Sequence, residues 1–266
     1  MSVSDIIERC RAQGRPALIG YLPVGFPTVD GSIEALRVLA RAGVDIVEIG
    51  VPYSDPVMDG PVIQDAAVRA LRAGVRLADV FTATRAVVEA GAGALVMTYW
   101  NPVLRYGVER FAADLAAAGG AGLITPDLIP DEAGEWIAAA DRHGLDKVFL
   151  VAPSSTPERI AAVTGASRGF VYATAVMGVT GARTSVGEAA EDLVRRTRGH
   201  TSLPVCVGLG VSTGEQAAQV GRFADGVIVG SALVRCLTEA PSAEAGLERL
   251  DRLAGELAEG VRKARA

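Results

Sequence analysis

Three carboxylates, Glu48, Asp55 and Asp59, lie close together in the stretch Glu48-Ile-Gly-Val-Pro-Tyr-Ser-Asp-Pro-Val-Met-Asp59-Gly-Pro61. Glu48 interrupts the apolar run Val44-Asp45-Ile46-Val47-Glu48-Ile49 near its C-terminal end, and that run reads as a strand. Glycine and proline then stop the strand. A loop carries Asp55 and Asp59 before Pro61 opens a helix. A buried, unpaired carboxylate is costly, so Glu48 needs a reason. One reason is a structural partner, such as a backbone amide or an arginine. The other is acid–base catalysis by a pair, Glu48 on the strand and Asp59 on the loop.

The elements around this stretch alternate. Short apolar runs at 17–22, 44–49, 94–98, 122–125, 147–151, 170–174, 204–208 and 225–229 read as strands. Helical spacing predicts helices at 32–42, 62–73, 78–90, 108–118, 132–142, 158–163, 188–198, 213–220, 231–237 and 243–262, with Thr156 capping the one at 158. A further short amphipathic helix over 4–11, capped by Ser4, precedes the first strand. Tyr99-Trp-Asn-Pro102 follows the strand at 94–98. About eight strands, each followed by a helix, with no linker, predict a single-domain (β/α)8 TIM barrel over 1–266 with an extra N-terminal helix. A doubly wound open sheet is the alternative. In a barrel the chemistry sits at the C-terminal ends of the strands. Glu48 lies at such an end, which favours the catalytic reading.

Two glycine turns follow the last two strands, Gly208-Leu-Gly210-Val-Ser212 and Gly230-Ser231. At these barrel positions, backbone N–H groups and a helix N-terminus suit a phosphate group, although tight turns alone, with Ser231 a simple N-cap, would also account for them. The segment Met177-Gly178-Val-Thr-Gly181-Ala-Arg183-Thr-Ser-Val-Gly187 is long and glycine-punctuated, as a lid over a site would be; a plain surface loop is the other reading. Tyr21, Met97, Tyr99, Tyr172 and Leu209 gather near strand ends in a chain that is only 5% aromatic, which suggests a flat apolar ligand.

Scarcities narrow the chemistry. The two lysines are Lys147, at the start of the fifth strand, and Lys263, in the tail, so no Schiff-base lysine stands at the barrel mouth. His143 and His200 both follow helices and read as dipole partners, not metal ligands. No dinucleotide fingerprint follows the first strand. The net charge of -5 argues against nucleic acid or an anionic membrane as partner. Cys10, Cys206 and Cys236 read as small buried hydrophobes. With no signal-peptide pattern or spanning segment, the expected location is the cytoplasm. Cofactor-free acid–base work by carboxylates, with a phosphate handle and an apolar pocket, remains.

Over nearly its whole length the chain resembles the tryptophan synthase alpha chain. The resemblance rests on Glu48-Ile-Gly-Val-Pro-Tyr-Ser-Asp-Pro with Asp59-Gly-Pro, on Pro126-Asp127-Leu, on Gly178-Val-Thr-Gly181, and on the Gly208-Leu-Gly210 and Gly230-Ser231 turns, in the family's order. It implies a lyase that cleaves 1-C-(indol-3-yl)glycerol 3-phosphate to indole and D-glyceraldehyde 3-phosphate in tryptophan biosynthesis. Glu48 would match the general acid–base and Asp59 the carboxylate that stabilises the protonated indole. Tyr172, Gly181, Gly210, Gly230 and Ser231 would surround substrate and phosphate. Tyr21, Met97, Tyr99 and Leu209 would line the indole pocket, with Thr180 on the lid. The resemblance also implies an α2β2 heterotetramer with a beta chain that alone carries pyridoxal phosphate, contacted through Asp55 and Pro56. This chain departs from the family's pattern at Met58, where a small residue is usual, and in the variable stretch Ala175-Val176-Met177. Met58 bears on the packing of its loop and on the partner contact, not on the reaction class. Two rivals stay open: a different phosphate-binding barrel enzyme of tryptophan or histidine biosynthesis, and a non-catalytic alpha-like subunit.

Overall fold

The computed structural model describes residues 2–174 and 183–265, with side chains left aside for 183–186. Nine parallel strands form one sheet in a nearly closed barrel: β1 (Ala17–Pro23), β2 (Ile46–Gly50), β3 (Gly93–Met97), β4 (Gly122–Ile124), β5 (Asp146–Val148), β6 (Leu150–Val151), β7 (Val171–Thr174), β8 (Val205–Gly208) and β9 (Gly226–Val229). The order is β5-β4-β3-β2-β1-β9-β8-β7-β6. The strand expected over 147–151 is split at Phe149: β5 pairs with β4 and β6 with β7. Counted as one strand, β5 and β6 close an eightfold barrel, as the alternation predicts.

The helices are α1 (Val3–Ala12), α2 (Val29–Arg41), α3 (Pro61–Arg72), α4 (Asp79–Glu89), α5 (Trp100–Tyr106), α6 (Val108–Ala117), α7 (Gly134–His143), α8 (Pro157–Ala166), α9 (Arg183–Arg198), α10 (Gly214–Gly221), α11 (Ser231–Thr238) and α12 (Ala243–Lys263). Several begin earlier than spacing alone indicates. Thr28 caps α2 by accepting from the Gly31 N–H, so the helix starts at Val29. Ser2, not Ser4, caps α1. Residues 100–106, where spacing predicts no helix, form α5.

Two apolar layers hold the barrel. Inside it, Ala17, Ile19, Ile46, Leu95, Ile124, Val148, Phe170, Cys206 and Ile228 pack with Val3, Ile6, Ile7 and Cys10 of α1, which plugs the N-terminal end. Buried Asp146 fastens this plug, accepting the Val3 N–H at 2.7 Å and the Ser2 hydroxyl at 2.9 Å. Outside, alternate strand residues such as Leu18, Val47, Val96 and Val227 pack against the helices. With its N-terminal end filled, the barrel has room for a ligand only at the C-terminal rim. No helix among the described residues is long and apolar enough to cross a membrane.

Candidate active site

Glu48 sits in β2 with its neighbours fixed by register: Tyr21 of β1 on one side and Leu95 of β3 on the other. Directly paired residues of parallel strands point to the same face, so Tyr21 and Glu48 both project into the barrel mouth. Glu48 is 1% exposed, and its Oε1 is buried with no hydrogen-bond partner among the described residues. Burial pushes its carboxyl up to about 8. Of the two reasons open for Glu48, the structural partner is absent at Oε1.

The cleft above Glu48 holds ≈ 550 Å³ of empty space open to solvent, within the range of small-molecule sites. Asp59, Tyr21, Tyr172, Met97, Leu209, Gly210, Gly230 and Ser231 all line it with Glu48, so most of the residues singled out in the sequence meet in one place. Gly208, from the first glycine turn, joins them, and Ile63 of α3 and Ile228 do so unanticipated. Tyr21 and Tyr172 are held as neutral phenols, first by burial and then by nearby carboxylate charge.

Asp59 is half-buried at the end of a braced loop. Val51 N–H bonds the Met97 carbonyl at 3.0 Å, Asp59 N–H the Pro56 carbonyl at 3.0 Å, and the Gln64 amide the Asp59 carbonyl at 2.8 Å. Burial pushes the Asp59 carboxyl up to about 6, against a hydrogen bond from Tyr99 that pulls it down. Tyr99 is not a wall of the cleft as expected. Its hydroxyl accepts the Met58 N–H at 2.9 Å, and burial lifts its own pKa to about 12. At pH 7 the pair is therefore split: Glu48 protonated, Asp59 ionised. Met58 is 60% exposed and Val57 81%. The bulky side chain at 58 thus projects outward, and its backbone, not its side chain, braces the loop. Asp55 is exposed and accepts the Ser54 hydroxyl at 2.6 Å, with half-buried Pro56 beside it.

The glycine turns lie where the sequence placed them, after the last two strands. Gly210 has φ +74°, a conformation that favours glycine. Ser231 is the first residue of α11 and Gly230 its N-cap, so Ser231 does not cap this helix. Its first amides point out of the helix end, as an anion site requires. Thr180, Gly181 and the 177–182 part of the expected lid lie outside the described residues. Lys147 is paired with Asp141 at 2.5 Å, and His143 at the end of α7 meets Glu109 at 2.7 Å. Among the described residues no three His, Cys, Asp or Glu side chains gather as a metal site.

A family model described as tryptophan synthase alpha chain matches residues 7–262. The chain belongs to the tryptophan synthase alpha chain family. It is 61% identical over 261 residues to the tryptophan synthase alpha chain of Mycobacterium marinum, covering 98% of this chain and 95% of that one. Among solved structures, that of tryptophan synthase from Mycobacterium tuberculosis aligns with a TM-score of 0.91 and 60% identity, covering 98% of both chains. Tryptophan synthase subunit alpha from Legionella pneumophila aligns at 0.89 with 31% identity, again over 98% of both. The alpha-chain family thus accounts for the barrel from end to end.

Proposed function

We propose that this chain is the lyase subunit of a tryptophan synthase, cleaving 1-C-(indol-3-yl)glycerol 3-phosphate to indole and D-glyceraldehyde 3-phosphate. Family membership places the chain in tryptophan synthesis. The observation that carries the specific reaction is Glu48: buried, unpartnered at Oε1, with its carboxyl raised to about 8 in the cleft that also holds ionised Asp59.

In this reading the protonated Glu48 gives its proton to indole C3. The positive charge that appears on the ring is stabilised by Asp59 at the indole N–H. The Glu48 carboxylate then takes the proton of the side-chain hydroxyl. The bond between indole C3 and the glycerol chain breaks, its electrons return to the ring, and the hydroxyl carbon becomes the aldehyde. Glu48 ends protonated, ready for another turnover. The protonated indole is the electron sink, so neither lysine nor metal enters a step. Tyr21, Met97, Tyr172 and Leu209 hold the ring, and the turns at Gly210, Gly230 and Ser231 hold the phosphate; Thr180 and Gly181 are assigned to the substrate by the family resemblance alone.

Pyridoxal phosphate belongs to the beta chain in this assignment, and the alpha chain carries no cofactor. The α2β2 partner face is formed by the loops after β2, β3 and β4. They expose Asp55 beside the apolar side chains Val57, Met58, Leu104 and Ile129, on segments tied to one another by hydrogen bonds. A cytoplasmic location is part of the same reading.

The test is release of glyceraldehyde 3-phosphate from indole-glycerol phosphate, with and without a tryptophan synthase beta chain. We expect slow release alone, strong acceleration with the beta chain, and a loss of ~10²–10⁴ in Glu48→Gln, the usual worth of a general acid–base. Near-normal turnover in Glu48→Gln would remove the mechanism. No release under either condition would favour another phosphate-binding barrel reaction.

A further inference from the structure

The first glycine turn is a thin partition between two hollows. Leu209 and Gly210 line the cleft on one side and, on the other, a second hollow of ≈ 560 Å³ of empty space open to solvent. Val211, Gln216, Val220 and Phe223 form the rest of that second wall. At Gly210 the turn therefore has a hollow behind it, not close-packed side chains. Its backbone adds little hold: the Leu209, Gly210 and Val211 N–H groups donate to no described residue. Open amides suit an incoming anion, but they leave the position of the turn to its two ends. The near end is set by β8, where Gly208 pairs with Ile228 of β9 and Thr174 of β7. The far end is held by the buried Val211 side chain and by Ser212.

Ser212 donates both its N–H and its hydroxyl to one oxygen, Oε1 of Gln216 in α10, at 2.8 and 3.0 Å. The pattern Thr213-Gly-Glu-Gln216 is that of a capping box. Half of the box is present: Thr213 is the N-cap of α10 and its hydroxyl accepts the Gln216 N–H at 3.2 Å. In the other half the glutamine would return to the N–H of the cap residue. Here it reaches one residue further, to Ser212, and the Thr213 N–H donates to no described residue. Capping of α10 does not require that choice. What it achieves is to tie the end of the glycine turn to the first turn of a helix.

We propose that Gln216 is a positioning residue for the phosphate turn: by holding both polar groups of Ser212 it sets the pose in which the backbone around Gly210 meets the phosphoryl group of the substrate. The proposal rests on the phosphate being seated at this turn, as above. It adds a side chain that lines the hollow behind the turn and not the cleft itself. Ser212 lies two residues from Gly210, which holds φ +74°. A turn with a hollow on each side has no wall to stop it swinging, so its pose depends on the tie at its end.

Gln216→Met keeps the length of the side chain and removes the acceptor. With the beta chain present, KM for indole-glycerol phosphate should rise about tenfold while kcat stays nearly unchanged, as expected when one or two positioning hydrogen bonds are lost. Ser212→Ala removes one of the two bonds and should give a smaller rise. The double variant should rise no further than Gln216→Met alone, because both changes break the same tie. Gln216→Asn, one methylene shorter, gives a second disrupting variant if Gln216→Met does not fold. Calorimetry on the alpha chain separates positioning from general damage. Binding of glycerol 3-phosphate should weaken by the same factor as KM rises, and binding of indole, which has no phosphoryl group, should not weaken. Unchanged glycerol 3-phosphate binding in the Gln216 variants, or an equal weakening of indole, would overturn the proposal. A wild-type chain that binds no glycerol 3-phosphate would overturn both the phosphate turn and this role for Gln216. If glycerol 3-phosphate binds but indole-glycerol phosphate is not cleaved, the proposed reaction alone fails, and the calorimetry still decides the role of Gln216.

Discussion

The Tyr21 phenol lies directly over Gly50, so close that a β-carbon on Gly50 would overlap the ring. Across the mouth Tyr172 lies over Gly208 in the same way, with its hydroxyl 2.7 Å from where that β-carbon would be. Each glycine ends a strand next to the one that carries the tyrosine. Two rings therefore lean across bare backbone and shape the floor of the cleft around Glu48.

Gly50→Ala should accordingly displace Tyr21 and damage the cleft more than the fold. Overpacking of this kind costs about 1–3 kcal/mol. We expect a modest fall in thermal midpoint and a loss of kcat/KM of roughly tenfold or more, since misplaced positioning groups weigh heavily on rate. Steady-state kinetics beside a thermal melt would check it. Unchanged kinetics would show that the pose of Tyr21 is immaterial.

The pH dependence of kcat/KM should be bell-shaped, with limbs near 6 and 8. Asp59, raised by burial to about 6, must be ionised, so activity rises through that pH. Glu48, raised by burial to about 8, must hold its proton, so activity falls above it. The phosphoryl group of the substrate titrates near pH 6 as well; displacement in Tyr99→Phe assigns the low-pH limb to Asp59. A profile flat from pH 6 to 9 would contradict the assignment of Glu48 as the acid.

Glu48 also leaves a mark on stability. Its carboxyl ionises near 4.5 in a model environment but only at about 8 in the fold. Between those values the folded chain keeps a proton that the unfolded chain has released, so stability falls as pH rises through the window and the penalty levels off above 8. Glu48→Gln has no such proton. It should be more stable than wild type by an amount that grows from pH 5 to 8 and then stays constant, of order a few kcal/mol. Denaturant midpoints at pH 5, 7 and 9 measure this. A pH-independent difference would mean that Glu48 is ionised in the fold at neutral pH.

Gly230 is a cleaner probe of the phosphate turn than most glycines. A β-carbon there would meet nothing closer than Tyr21 at 3.7 Å, an ordinary contact. Gly230→Ala should therefore fold and melt like wild type. A phosphoryl group seated at the start of α11 would feel the methyl, and we expect KM for indole-glycerol phosphate to rise about tenfold. An unchanged KM would move the phosphate away from this turn.

Much of the site was legible because its residues are unusual for their surroundings. Glu48 is a charge in an apolar run, Asp59 follows it at a strand exit, and the glycine turns fall after the last two strands. The sites of contact were less visible. Asp127 was seen only as part of a Pro-Asp-Leu motif, because its partner, the Trp100 amide, lies 27 residues away and is set by the pairing of β3 with β4. Tyr99 reads from sequence as one more aromatic near a strand end; its bond from the Met58 N–H depends on the start of α5, a helix that spacing does not reveal. That helix has seven residues, too few for periodicity to show, and its first amide is satisfied from outside the segment.

The sequence by itself determined the alternation of strands and helices, the barrel, and the two carboxylates at a strand exit, because these follow from local apolar runs and from the cost of burying charge. Only the tertiary structure decided that Glu48 Oε1 has no partner among the described residues, that Tyr99 accepts the Met58 N–H, that glycines lie under two tyrosine rings and that Phe149 splits a strand. Each of these depends on which strands lie side by side and in what register, and that is fixed by the closure of the whole barrel, not by any one segment.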